Sequence, residues 1–184
     1  MAGKQYITPK KIISLFIAII ALFISLYTAL VKQEDTPVKE SITGCQNVPD
    51  LSDNSERLVT KVIDGDTFLI EGGYSVRVLG FDADERGYPC YNVATKRMEE
   101  LVLDKEVRLE KGPDDKDQWC RYLRYALIGE DNVGIVIVRE GLAVSRASSE
   151  GGLYQEEFSE SEKDARAENI GCKWNDLVTG ESTE

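Results

Sequence analysis

The chain contains no histidine. Without an imidazole there is no Ser-His-Asp or Cys-His triad, no histidine-ligated metal centre and no histidine phosphotransfer, so any catalysis must run on carboxylates, Arg, Lys, Tyr or Cys. The four cysteines include no Cys-x-x-Cys pair, which argues against a zinc site built from thiolates. Basic residues are also scarce, 22 Lys and Arg against 33 Asp and Glu, for a net charge of −11. No internal repeat or low-complexity block occurs. The 184 residues, 42% of them apolar, are enough for one domain with an ordinary core plus appendages.

The one long uncharged run is Ile12 to Val31. As a helix rising about 1.5 Å per residue it spans roughly 30 Å, the thickness of a bilayer's hydrocarbon core. A cleaved signal has a shorter apolar stretch, about 7 to 15 residues, and a small-residue site after it, whereas this run ends in Leu30-Val31-Lys32. The run is therefore expected to be a retained transmembrane anchor, with secretion after cleavage as the alternative. Lys4, Lys10 and Lys11 precede it, and Glu34 and Asp35 soon follow. The positive-inside rule puts residues 1–11 in the cytoplasm and everything after the span outside. Residues 32–57 are polar with scattered Pro and read as a tether, and residues 175–184 as a disordered tail.

Between them, residues 58–174 change period. Leu58 to Ile63, Thr67 to Ile70 and Tyr74 to Leu79 are β-branched segments split by Asp64-Gly65-Asp66 and Glu71-Gly72-Gly73, the pattern of three consecutive antiparallel strands. Ala94, Arg97, Met98, Leu101 and Val102 recur at helical spacing, predicting a helix over Tyr91 to Leu103. Strands follow at Glu106 to Glu110 and Arg121 to Ile128. A short helix over Val133 to Glu140 stops at Gly141, and an acidic helix over Leu153 to Glu168 stops near Gly171. Five strands with about three helices predict an α+β fold built on a small closed barrel.

Charge collects where these strands begin or end. Asp64 and Asp66 flank a turn, Arg77 sits inside an apolar strand that runs into Asp82-Ala83-Asp84-Glu85, and Asp117 and Arg121 open the fifth strand. If they converge, carboxylates and a carbonyl make a hard oxygen site for calcium or magnesium. Two guanidinium groups can clamp a phosphate and stabilise its transition-state charge, and a further carboxylate can activate water. Each feature also has a plainer reading: Asp64-Gly65-Asp66 as a solvated turn, Arg77 as a structural partner of Asp82, Arg121 as a surface residue. Asp64 is expected to hydrogen-bond to its own turn.

Four blocks, Lys61-Val62-Ile63-Asp64-Gly65-Asp66-Thr67, then Arg77-Val78-Leu79-Gly80-Phe81-Asp82-Ala83-Asp84-Glu85, then Asp117-Gln118-Trp119-Cys120-Arg121-Tyr122-Leu123-Arg124-Tyr125, then Val138-Arg139-Glu140-Gly141-Leu142-Ala143, together resemble the staphylococcal nuclease family of thermonuclease-like proteins. The blocks and their connections cover about residues 58 to 174. The resemblance implies an OB-fold barrel with three helices and a calcium-dependent nuclease acting on DNA and RNA. By motif position it makes Asp66 and Asp82 metal carboxylates, with Ala83 contributing its carbonyl where the family usually has Thr. Glu85 becomes the general base, and Arg77 and Arg121 the phosphate clamps.

The sequence departs from that family pattern at three further places. Asp84 replaces the usual Pro before the glutamate, adding charge and removing a conformational lock. Trp119-Cys120 replaces Tyr-Gly; Trp119 can still stack on a base, whereas a left-handed conformation is costly for Cys120. Nucleotide-contacting tyrosines are missing from Val144 to Ser149.

In an oxidising compartment the four cysteines are expected to pair, with three connectivities possible. Cys45 and Cys172 lie at the two ends of the domain, and Cys90 and Cys120 near its active-site side, which favours the pairs Cys45–Cys172 and Cys90–Cys120. Residues 56–174 carry 17 basic and 25 acidic side chains, a balance of −8, so weak, salt-sensitive substrate binding is expected. The leading expectation is a membrane-anchored, outward-facing, monomeric nuclease domain using calcium on DNA and possible RNA substrates, with no protein partner. The alternatives are a catalytically silent barrel that binds nucleic acid or peptide, and a calcium-stiffened structural domain on a stalk.

Overall fold

The computed structural model describes residues 19–25, 27, 45–146 and 152–175. The chain divides into two units, Met1–Ser41 and Ile42–Glu184. In the first, residues 19–25 and 27 are helical, and Ile19, Ile20, Leu22, Phe23, Ile24 and Tyr27 are exposed. Among the described residues no helix is long and apolar enough to cross a membrane, and most of the expected span over residues 12–31 lies outside them. The expected tail after Asn175 also lies outside.

In the second unit β1 (Ser55–Val62), β2 (Thr67–Ile70) and β3 (Tyr74–Val78) form the expected antiparallel meander. β4 (Phe81–Ala83) follows directly, then α1 (Tyr91–Val102), β5 (Glu106–Lys116), β6 (Tyr122–Ile128) and β7 (Asp131–Asn132). The chain ends through α2 (Val133–Arg139), β8 (Ala143–Ser145), α3 (Gln155–Ala167) and α4 (Gly171–Trp174). The order β3-β2-β1-β5-β6 is closed by a parallel pairing of β3 with β6, giving a mixed five-stranded barrel of the OB-fold kind. β5 runs six residues beyond its predicted end at Glu110. Its second half pairs with β6 through an irregular register between Lys111 and Lys116, where Gly112, Pro113 and charged side chains hide the apolar alternation.

Alternation fills the barrel with Val59, Phe68, Ile70, Val76, Val78, Leu109 and Tyr122, all buried. Helix α1 covers one side with Ala94, Met98 and Val102, spaced four residues apart. Arg97, counted in the apolar periodicity, instead makes a two-pronged bond at 2.7 Å to Glu140 at the end of α2. Helix α2 is started by Asn132, whose Oδ1 accepts from the Gly134 and Ile135 N–H groups. Helix α3 buries Phe158, Ser161 and Ala165 and leaves Glu156, Glu157 and Glu160 exposed.

The expected tether of residues 32–57 ends earlier than its polarity suggests. Leu51 is in the core, Pro49 O accepts from the Tyr122 hydroxyl, and Leu51 O accepts from Arg124 at 3.1 Å. This brings Cys45 to the start of β6, and the disulfides are Cys45–Cys120 and Cys90–Cys172, not the pairs expected from chain position. Pairing the two ends of the domain ignored that residues 45–51 fold across β6, while α4 docks beside the start of α1.

Arg124 is fully buried. Its guanidinium donates to Asp115 Oδ1 at 2.6 Å and to three main-chain carbonyls, tying β5, β6 and residue 51 together. Burial alone would raise the Asp115 pKa, but the bonds from Arg124 and Lys111 outweigh it and hold the carboxyl below its usual range. Arg124→Met should therefore cost about 3 kcal/mol of stability by leaving those carbonyls without their donor and Asp115 with only Lys111 and Lys116, read by chemical denaturation.

Candidate active site

The site starts at the turn between β1 and β2. Gly65 lets this turn approach β4 and α1, since a Cβ there would lie 2.6 Å from Ala83 Cβ and 2.8 Å from Ala94 Cβ. As expected, Asp64 Oδ1 accepts from its own turn, from the Asp66 N–H at 3.1 Å. Thr67 pairs with Arg77 across β2 and β3, which sets Asp66 beside the Arg77 side chain. Asp66 is buried: Oδ1 accepts from the Thr67 hydroxyl at 2.9 Å, Oδ2 accepts from the Ala83 N–H at 3.0 Å and lies 3.2 Å from Arg77 Nη2.

Arg77 reaches across the end of the barrel. It donates to the carbonyls of Val78 and Phe81 and to Asp82 Oδ1 at 3.1 Å, so one guanidinium joins Asp66 to Asp82. The other oxygen of Asp82 accepts from Arg146 at 2.9 Å. The plainer reading of Arg77, a partner of Asp82, thus holds in this state, with Asp66 as a second partner. Burial pushes the Asp66 pKa up to about 6; Arg77 opposes this, and the Asp64 charge adds to it.

Glu85 follows two residues after β4 and is exposed; among the described residues its carboxylate makes no hydrogen bond or ion pair. Arg121 lies one residue before β6. The parallel register, Val76 with Tyr122 and Arg77 with Leu123, puts Arg121 on the same face as Arg77. Its Nε donates to Asp117 Oδ2 at 2.7 Å, and its guanidinium sits 5.2 Å from the centre of the exposed Trp119 ring. Asp117 Oδ1 also accepts from the Trp119 and Arg121 N–H groups, so this loop is shaped by one carboxylate. Cys120 does adopt the left-handed conformation, φ 65°, where its sulfur bonds Cys45.

Asp66, Arg77, Asp82 and Ala83 therefore meet in direct contact, while Glu85 lies two residues beyond β4 and Arg121, held by Asp117, precedes β6 on the face that carries Arg77. The carboxylates of Asp66 and Asp82 share the Arg77 guanidinium, Asp82 also pairs with Arg146, and Asp66 is buried at an energetic cost. With a main-chain carbonyl, that is a donor set of hard oxygens that fits a divalent cation. Among the described residues no group of three or more acidic or thiol side chains converges in a way that could hold a metal ion. Sequence reasoning missed Arg146 and Lys173 as partners of Asp82 and Asp84. Neither residue lies in a motif, and only the pairing of β4 with β8 and the docking of α4 bring them near.

The family profile described as "Staphylococcal nuclease homologue" matches residues 75–176, more than half of the chain. The chain belongs to the staphylococcal nuclease homologue family. Within it, the chain is 27% identical over 145 residues to a thermonuclease of Staphylococcus intermedius, covering 74% of this chain and 82% of that protein. It is 28% identical over 117 residues to a thermonuclease of Staphylococcus hyicus, covering 59% and 69%. An uncharacterized endonuclease of Haemophilus influenzae is 30% identical over 123 residues, covering 64% and 65%.

The raised Asp66 pKa has a consequence for the metal-free nuclease fold. Between the ordinary value of 3.8 and about 6, the unfolded chain gives up a proton that the native site keeps. In chelator, stability from this group should be full below pH 4 and lost as pH rises through 6, seen as a falling melting temperature. Asp66→Asn should flatten that decline.

Proposed function

We propose that this nuclease hydrolyses phosphodiester bonds of DNA, and of RNA, with calcium as its metal ion. The observation that carries the reading is the contact of Asp66, Arg77 and Asp82 at one end of the barrel, in a chain of this family. Asp66, Asp82 and the Ala83 carbonyl would hold the cation, which when bound offsets charge on the phosphate. Arg77 is anchored by the Val78 and Phe81 carbonyls, so it keeps its place and offers N–H groups to phosphate when the carboxylates serve the cation. Arg121 supplies the second clamp.

Glu85 takes a proton from water as the water oxygen bonds phosphorus. The bond to the 5′-oxygen breaks, that oxygen takes up a proton from solvent, and a 3′-phosphate end results. The exposed Trp119 ring, carrying Arg121 on one face, offers a stacking surface for a base. The acidity of the domain makes the cation and the guanidinium groups the main attraction for the substrate, so binding is weak and sensitive to salt.

The domain acts outside the membrane on an N-terminal anchor. Support comes from the uncharged run Ile12 to Val31, the lysines before it and the exposed apolar side chains of residues 19–24. The two disulfides suit an oxidising compartment. Incubating the full-length protein with single-stranded DNA, in calcium or chelator, tests the catalytic reading. Cleavage should need calcium, and Glu85→Gln and Arg121→Ala should each slow it by about tenfold or more, Glu85→Gln without lowering the melting temperature. Cleavage unchanged in both variants would remove Glu85 and Arg121 from the chemistry, and no cleavage by the wild type would leave a barrel that only binds.

A further inference from the structure

Glu85 is open to solvent, yet the turn that carries it is fastened on both sides. Its neighbour Asp84 uses both carboxylate oxygens: Oδ2 accepts from the Cys90 N–H at 3.0 Å, and Oδ1 pairs with Lys173. The Asp84 and Lys173 side chains are only 12% and 20% exposed, so the pair is shielded from solvent. Cys90, at the far end of the turn, is bonded to Cys172. Residues 84 and 90 are thus tied to two consecutive residues of α4.

Helix α4 is itself seated firmly. The Lys173 N–H donates to Gly141 O at 3.0 Å, and Gly141 and Gly171 pack so closely that a Cβ on either would collide with the other's main chain or its neighbour's. Inside the turn, the Tyr88 N–H donates to Glu85 O at 3.0 Å. A third carboxylate between Asp82 and Glu85 is electrostatically adverse in so acidic a domain. Lys173 offsets that charge, and the two bonds of Asp84 give the turn an order that its exposed residues do not supply.

We propose that Asp84 is a positioning residue for Glu85, and that the Lys173 ion pair and the Cys90–Cys172 bond complete a clamp on the turn that carries it. This rests on the assignment of Glu85 as general base. A base must be held within hydrogen-bond reach of the attacking water, and small displacements of such a group cost large factors in rate. The clamp fixes the main chain on either side of Glu85 and leaves its carboxylate unencumbered.

Steady-state cleavage of single-stranded DNA by the full-length protein with calcium tests this, using Asp84→Asn, Glu85→Gln and the double variant. Asparagine can still accept from Cys90 but loses the ion pair. Asp84→Asn should lower kcat about tenfold with KM within about twofold. In the Glu85→Gln background it should cost nothing further, because Asp84 acts only through Glu85. Lys173→Met should reproduce the loss should Asp84→Asn fail to fold. Amide exchange at Tyr88 should quicken about tenfold in Asp84→Asn and after disulfide reduction, while β1 and β5 keep their protection. Equal losses with and without Glu85, or unchanged kcat and Tyr88 exchange in both Asp84→Asn and Lys173→Met, would overturn the positioning role alone. A wild-type rate in Glu85→Gln would overturn the base assignment and the role of Asp84 with it.

Discussion

Arg77 holds two carboxylates that the fold forces together. Asp66 comes from the turn before β2, Asp82 from β4, and the guanidinium from β3 lies about 3 Å from each. A buried carboxylate without a cation beside it would be protonated or would distort the site, so Arg77 permits the barrel to close with its acids in place. The pairing is incomplete as compensation: Arg77 lies between Asp66 and Asp82, Arg146 takes the other oxygen of Asp82, and the nearby Asp64 leaves three negative charges against two positive ones. That residual negative field is what a divalent cation would relieve, which makes the resting structure and the proposed chemistry parts of one electrostatic arrangement.

The same economy of positive charge recurs around the domain. Arg124 satisfies Asp115 inside the barrel, Arg121 is held by Asp117, and Lys173 neutralises Asp84. Each cation is placed by a specific partner. A domain with a net balance of −8 over residues 56–174 has few guanidinium groups to spare for a nucleic acid, so those at the site must serve both the fold and the substrate. The disulfides play a complementary part. One ties the N-terminal segment to the loop before β6, and the other ties the start of α1 to α4.

Local pattern carried much of this. Alternation located β1 to β3 and β6 to within a few residues, the four-residue spacing of Ala94, Met98 and Val102 located α1, and the Asp64 turn behaved as its side chain chemistry requires. What escaped was long-range. The second half of β5 hides behind Gly112 and charged residues, and residues 45–54 read as tether because their contacts to Tyr122 and Arg124 lie some 70 positions away. The cysteine pairing failed for the same reason. Asp84 read as the loss of a lock, yet the structure supplies another through Lys173 and Cys90, partners that no local motif announces. The pairing of Arg77 with Asp82 was legible from the segment that carries them, whereas the approach of Asp66 to both followed from the order of the family's motifs.

The central claim is that Asp66 and Asp82 form one cation site shared with Arg77. Isothermal titration of the full-length protein with calcium, in the absence of any substrate, tests it most directly. The account predicts one binding event in the wild type that disappears in both Asp66→Asn and Asp82→Asn while their folds remain intact. Calcium binding of unchanged affinity in either variant would contradict it.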